Sequence, residues 1–164
     1  MPVAMRGVST VAPALSLALL LASNAAFGQG AKPAPDGAKI YAATCQACHQ
    51  ASGLGLANQF PPLVGSEWVT GREDRLILII LHGITGEIEV EGETFNGLMP
   101  TWGPSFGDDD VAAVATYVRG AWGNKASPVS PVTVTRVRAA HAARKTPWTA
   151  PELQAALGSR GQSR

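Results

Sequence analysis

Three rhythms of apolar and polar residues run along this chain. In residues 108–122 the apolar positions Val111, Val114, Ala115 and Val118 recur at helical spacing behind Asp108, Asp109 and Asp110. That period predicts a helix. The acidic first turn suits its dipole, and Gly123 ends it. Residues 72–82 predict a second helix around the wholly apolar run 76–81, with Gly83 as its stop. Residues 87–94 alternate Glu with Ile88, Val90, Gly92 and Thr94, a period of two. This predicts a short hairpin or extended loop with its Glu side chains in water, or an acidic docking strip. Asp36 is a good cap for a further helix over 37–48. Residues 50–64 and 95–106 read as loops rich in Gly and Pro, and Ser66 caps a short turn to Trp68.

Beyond Gly123 the pattern changes. Residues 127–131 read as a linker and 133–144 as a short helix with Val134, Val137 and His141 on one face. Thr149-Ala150-Pro151-Glu152 is a capping box with Pro in the first turn, which predicts a helix to Leu157. Trp148 before it, with Leu153 and Leu157 after it, would clip this tail to the core. Residues 158–164 read as a frayed end, and the alternative is a tail that is basic and disordered throughout. The elements sum to an all-α fold of three main helices with a C-terminal extension.

The first 28 residues read as a signal peptide. Arg6 is its one charge, VAPALSLALLLA its apolar stretch, and Ala26-Phe27-Gly28 sets the cut before Gln29. A cut after Ala25 is the alternative. An uncleaved anchor is the other, although the apolar stretch is shorter than the roughly 18–20 residues a spanning helix needs. No later stretch is long enough to span a membrane. The organisation expected is a signal peptide over 1–28, a leader over 29–34, a core domain over 35–123 and a basic extension over 124–164.

Net charge is only +1, but the charges are segregated. Residues 29–118 hold four bases against eleven acids, and residues 119–164 hold eight bases against one acid. Either the tail folds back on an acidic core, or the two regions are separate docking or solvated faces. Nucleic acid is not an expected partner, because no binding motif accompanies the bases.

Cys45-Gln46-Ala47-Cys48-His49 is the C-x-x-C-H pattern of covalent c-type haem attachment. Two thiols one helical turn apart can each add to a vinyl group on one edge of a haem. The tether then brings His49 to the iron as an axial ligand. A zinc site would need a second pair of ligands, and the chain has no further Cys. A thioredoxin-like pair needs no trailing His and sits near a βαβ pattern, which is absent. Such haem attachment takes place outside the bacterial cytoplasm, so a periplasmic location follows. Met99 is the one thioether left after residues 1–28 are removed. It sits in Asn96-Gly97-Leu98-Met99-Pro100, where Gly and Pro can fix a rigid loop. That makes Met99 the candidate sixth ligand. A core-packing Met is the plain alternative, and His82, at a helix C-terminus, is the rival ligand.

The order of helix, CQACH, Gly/Pro loop, FPPLVG, middle helix, NGLMP and Asp-capped last helix resembles class I c-type cytochromes over about 35–123. The resemblance implies that fold around one covalent haem c. It implies that the Pro61 carbonyl accepts a hydrogen bond from His49 Nδ1 and that Leu63 packs on the haem. Gly37 and Tyr41 would cross the last helix at Val114 and Tyr117. FPPLVG, IEVEGETFNGLMPTWG and DDDVAAVATYVRGAWGN are also similar to monohaem domains of the cytochrome subunits that serve quinoprotein alcohol and aldehyde dehydrogenases. Those usually carry three haem motifs and this chain carries one. The implied function is a one-electron carrier and not an enzyme. A dehydrogenase would be its donor, and an oxidase or another cytochrome its acceptor. The alternatives are an obligate subunit of a dehydrogenase complex, or a haem enzyme or gas sensor with a displaceable sixth ligand. No general acid–base pair and no activated nucleophile is present in the sequence to support other chemistry.

Overall fold

Local capping chemistry starts most of the elements. The computed structural model describes residues 1–3 and 34–158. Apart from residues 1–3, the expected signal peptide lies outside the described residues, as do residues 29–33 of the leader and 159–164 of the tail. The elements are α1 (Gly37–Thr44), α2 (Gln46–His49), α3 (Glu67–Thr70), α4 (Glu73–His82), β1 (Ile84–Val90), β2 (Glu93–Met99), α5 (Asp108–Gly120), α6 (Pro131–Ala140) and α7 (Ala150–Leu157). Asp36 caps α1 by accepting from the amides of Ala38 and Lys39 at 3.0 and 3.2 Å. Ser66 caps α3 and Ser130 caps α6 in the same way. Glu152 reaches back to the Thr149 amide at 3.1 Å, as the capping-box reading requires. No helix among the described residues is long and apolar enough to cross a membrane.

The all-α expectation is corrected by an antiparallel hairpin. β1 pairs with β2 along their whole length, from Ile84 opposite Met99 to Val90 opposite Glu93. Glu91 and Gly92 make the two-residue connection, with φ of 52° and 78°. Left-handed conformations at both positions match the twist of the flanking strands. Glu is an uncommon first residue for such a turn, so the sequence signal is weak. The second strand, ETFNGLM, shows no clean alternation and reads as loop. The segment around Met99 is therefore the end of a strand, held by a hydrogen-bonded ladder.

The expected single helix over 37–48 is interrupted. α1 stops at Thr44, Cys45 turns with φ −100° and ψ −32°, and α2 resumes at Gln46. α1 crosses α5 at Gly37. A Cβ there would lie 2.6 Å from the Ala113 carbonyl carbon and closer still to its oxygen, so only glycine allows the approach. Ala113, not Val114, takes that contact; Val114 is buried in the wall of a cleft. Tyr41 is buried against the rings of Tyr117 and Trp122, at centroid distances of 5.4 and 5.1 Å.

The extension is folded from Asn124 to residue 158, which overturns the reading of a disordered tail. α6 and α7 pack on α4. Trp148 is 4% exposed and Leu153 1% exposed. Arg138 of α6 pairs with Asp108 at the start of α5 at 2.6 Å, so the basic tail does fold back on the acidic core. This placement explains the apolar run 76–81. Leu76, Ile79 and Ile80 line the cleft, while Ile77, Leu78 and Leu81 are buried outside it, where other helices cover α4. A helix apolar all round is a helix buried all round.

Candidate functional site

A single cleft gathers the residues that carry chemistry. It spans about 1330 Å³, its mouth included. Leu76, Ile79 and Ile80 of α4 form part of its wall, with Val114 and Val118 of α5. Ile84, Gly86, Ile88 and Val90 of β1 add the hairpin face, together with Phe95, Gly97 and Met99 of β2. Period-two side-chain alternation puts these on one side of the sheet. Gly86 and Gly97 stand opposite each other, and a Cβ on either would meet nothing within 4 Å. The paired glycines therefore leave the wall recessed toward the cleft. Trp102 and Phe106, stacked at 5.3 Å, complete the far rim. Cys45, Cys48, His49, Pro61, Leu63 and Met99, the six residues expected at the site, all line this cleft.

His49 is 8% exposed, and its Nδ1 lies 2.9 Å from the Pro61 carbonyl. A carbonyl can only accept, so Nδ1 carries the proton and Nε2 keeps its lone pair. Burial pushes the His49 pKa down, and the bond to Pro61 offsets part of that shift. A neutral ring with its tautomer fixed by a backbone acceptor is the metal-ligating form of histidine. The carbonyl is itself held. Leu56 and Phe60 exchange backbone bonds of 2.9 and 2.8 Å, and the Gly55 amide donates to the His49 carbonyl at 3.0 Å. Gly55 has φ +66°, and a Cβ on it would lie 2.6 Å from the Pro61 oxygen.

Leu63 is fixed from both sides. Its amide donates to Gly53 at 2.7 Å, and its carbonyl accepts from Asn124 Nδ2 at 3.0 Å. Asn124 is itself buried; it also donates to Val118 at 2.8 Å and accepts from Gly65 at 2.9 Å. Its side-chain amide stitches the cleft loop to the end of α5. Neither Asn124 nor Gly55 was singled out from the sequence. The only signals were a Gly-x-Gly spacing at 53–55 and an Asn just past a helix stop.

Neither cysteine is in a disulfide, and both are half-buried on the cleft wall. Burial pushes the Cys45 thiol up; the Thr44 hydroxyl, 3.4 Å away, works against this and the neighbouring Cys48 adds to it. Redox-active pairs instead lower a thiol pKa to expose a thiolate. No group of three or more His, Cys, Asp or Glu side chains among the described residues is placed to hold a metal. His82 and His141 lie away from the cleft. Both rings pack edge-on against Trp148, at 6.2 and 5.6 Å.

The donor set is thus one imidazole with a free Nε2, one thioether and two thiols on an apolar cleft recessed at two glycines. It fits a covalently tethered haem, with the thiols as attachment points.

Comparison with known proteins agrees with this chemistry. The sequence model of the cytochrome c oxidase cbb3-type subunit III family matches residues 32–118. Cytochrome c-552 of Thermus thermophilus is 38% identical over 137 residues, covering 80% of this chain and 88% of that protein. The cytochrome c subunit of a quinone-dependent alcohol dehydrogenase from Gluconacetobacter polyoxogenes is 34% identical over 105 residues, 62% of this chain. The fructose dehydrogenase cytochrome subunit of Gluconobacter japonicus is 33% identical over 111 residues, 63% of this chain. The chain matches only 22% of the length of each of these two subunits. With an attachment motif at Cys45–Cys48–His49 set in an apolar cleft, the chain belongs to this cytochrome c family and is an electron-transfer protein carrying one covalent haem c.

Proposed function

We propose that this cytochrome is an exported one-electron carrier whose iron is held between His49 and Met99. A dehydrogenase would be its electron donor, and an oxidase or another cytochrome of the respiratory chain its acceptor. The observation that carries the ligand reading is that His49, with Nε2 free, and Met99, the terminal residue of β2, line the same apolar cleft as both thiols. Haem c, when bound, supplies a one-electron iron couple, whose potential His/Met ligation raises. The residues of the chain do the rest. Pro61 orients His49 through its carbonyl, and Leu63, on the cleft wall, would pack on the cofactor. The β1–β2 ladder holds a thioether that is too weak a donor to hold itself.

The donor assignment is supported by the similarity to cytochrome subunits of alcohol and fructose dehydrogenases. The acceptor assignment is supported by the matching family, which is described as a subunit of a cytochrome c oxidase. Export is supported by the charged start, apolar stretch and small-residue cut site of residues 1–28. In this reading residues 35–123 are the haem domain, 29–34 a leader and 124–164 an extension. Leu98, 64% exposed at the mouth of the cleft, offers an apolar point of approach for a redox partner.

Met99→Ala tests the ligand pair. The variant should keep its thioethers, lose the weak far-red charge-transfer band of a Met–iron bond, and bind cyanide or carbon monoxide readily. Its potential should fall, because water or a nitrogen donor stabilises ferric iron better than a thioether does. An unchanged spectrum in Met99→Ala, with a changed one in His82→Ala, would replace Met99 by His82.

A further inference from the structure

We propose that the C-terminal extension is a two-point brace that positions Met99, with Trp148 and Arg138 as the positioning residues; this rests on the reading of Met99 as an iron ligand. Met99 lies on a segment that leaves α4 at Gly83 and rejoins the helical core at Asp108. The extension grips that segment both before and after Met99.

The first grip is at Trp148. Its amide donates to the Gly83 carbonyl at 3.0 Å, and its carbonyl accepts from the Thr85 amide at 2.7 Å. These bonds form a parallel bridge to Ile84, the residue paired with Met99 on the other side. Trp148, Ile84 and Met99 are therefore neighbours in one row of a sheet locally three strands wide. Strands in a row sit about 4.8 Å apart, so displacing the first displaces the others. Gly83 adds a direct contact: a Cβ on it would run into the Met99 carbonyl. The Trp148 indole fixes the bridge, with the Arg144 guanidinium 3.5 Å above its ring and His82 and His141 at its edges. Arg144 in turn donates to the carbonyls of Thr146 and Pro147 and pairs with Glu152.

The second grip is at Arg138. Its guanidinium donates to the Gly103 carbonyl at 2.9 Å and the Phe106 carbonyl at 2.8 Å, and pairs with Asp108 at 2.6 Å. One planar fork thus fixes three points on the return path from Met99. Between the grips, Thr101, Trp102 and Gly103 bond the last carbonyls of α4, at 2.6, 3.0 and 3.0 Å. A thioether bonds weakly and stays on iron only if the backbone carrying it cannot swing away. Removing either grip loosens that backbone without replacing a side chain of the cleft lining.

The test uses the full haem-loaded protein and the variants Arg138→Met, Trp148→Leu and their combination. Val134→Ala is the control, a fully buried residue of α6 that makes none of these bonds. The readouts are the far-red band and the rate of cyanide binding to ferric protein, both taken well below each melting temperature. The double variant should bind cyanide at least tenfold faster than the parent and lose band intensity. Val134→Ala, at a comparable loss of melting temperature, should leave both readouts unchanged. Arg138→Lys, which keeps the charge beside Asp108 but not the fork, should fall between parent and Arg138→Met. Cyanide rates that follow melting temperature alike in all variants, or stay at the parent value, would reduce the extension to a general stabiliser and overturn the brace. Met99→Ala with an unchanged band would remove the ligand reading itself, and the brace with it.

Discussion

Gly55→Ala asks whether the Pro61 carbonyl sets the His49 ring. A Cβ at position 55 would stand 2.6 Å from the Pro61 oxygen and closer still to the Phe60 oxygen. Ordinary carbon–oxygen contacts begin near 3.3 Å, so the turn at 60–61 must move by roughly 1 Å. Neither clashing atom is the end of a flexible side chain. The His49–Pro61 bond is 2.9 Å, and a displacement of that size takes it out of range. Alanine at a left-handed φ costs about 1 kcal/mol. Leaving a buried N–H without its acceptor costs about 2 kcal/mol more. For a folded unit of this size about 3 kcal/mol corresponds to roughly 10 °C in Tm. The electronic consequence is separate. Without its acceptor the imidazole is a less basic donor, the ferric state is less stabilised, and the midpoint potential should rise. Thermal melting and potentiometric titration of the haem-loaded variant measure the two effects. Gly120→Ala serves as control, since a Cβ there meets nothing and a helical Ala is favoured over Gly. A Gly55→Ala protein with parental Tm and potential would show that the loop absorbs the methyl group and that the carbonyl does not govern the ring.

Two further outcomes follow from buried polar groups. Arg119, 5% exposed, donates to the carbonyls of Val69, Gly71 and Ser127; Arg119→Met should cost about 3 kcal/mol or more in urea unfolding, because those acceptors lose a charged donor. Burial raises the Asp108 pKa, but hydrogen bonds from Thr135 and Arg138 and the Arg138 charge outweigh it and leave the carboxyl below its ordinary value. Its stabilisation is therefore complete above about pH 4 and lost as pH falls through the folded pKa, so the Tm gap between parent and Asp108→Asn should be present at pH 7 and close in acid.

What the sequence made legible was chemistry tied to fixed spacing. The haem motif, the α5 stripe and the Thr149–Glu152 box each rest on residues a few positions apart, and local geometry decides them. The hairpin was half legible. Glu alternates with Ile88 and Val90 over 87–90, but the partner strand carries Asn96, Gly97 and Leu98, whose pattern means nothing until Ile84, Gly86 and Ile88 lie beside it. Met99 was identified for its thioether, while the ladder that holds it was missed for the same reason. Arg119 was counted with the basic tail because its charge is visible in the sequence and its three carbonyl acceptors, supplied by distant turns, are not. Gly37 was placed correctly against α5 but one residue off in its partner, a rotation of about 100° on a helix that period alone does not resolve.

The run 76–81 shows why the extension belongs to the site. A helix that lines a cofactor cleft on one face ordinarily turns polar residues outward on the other. Here the outward positions are Ile77, Leu78 and Leu81, all buried, and α6 and α7 pack on the same helix. Returning even one such side chain to water costs about 1.5–3 kcal/mol. That is a sizeable part of the 5–15 kcal/mol by which domains are stable. The extension thus packs on the same helix that forms the cleft wall. It reaches the Met99 segment through Trp148 and Arg138 because that segment starts at the C-terminus of α4. Met99, at the end of an otherwise two-stranded hairpin, is thus set between two packed bodies, the core that lines the cleft and the folded tail.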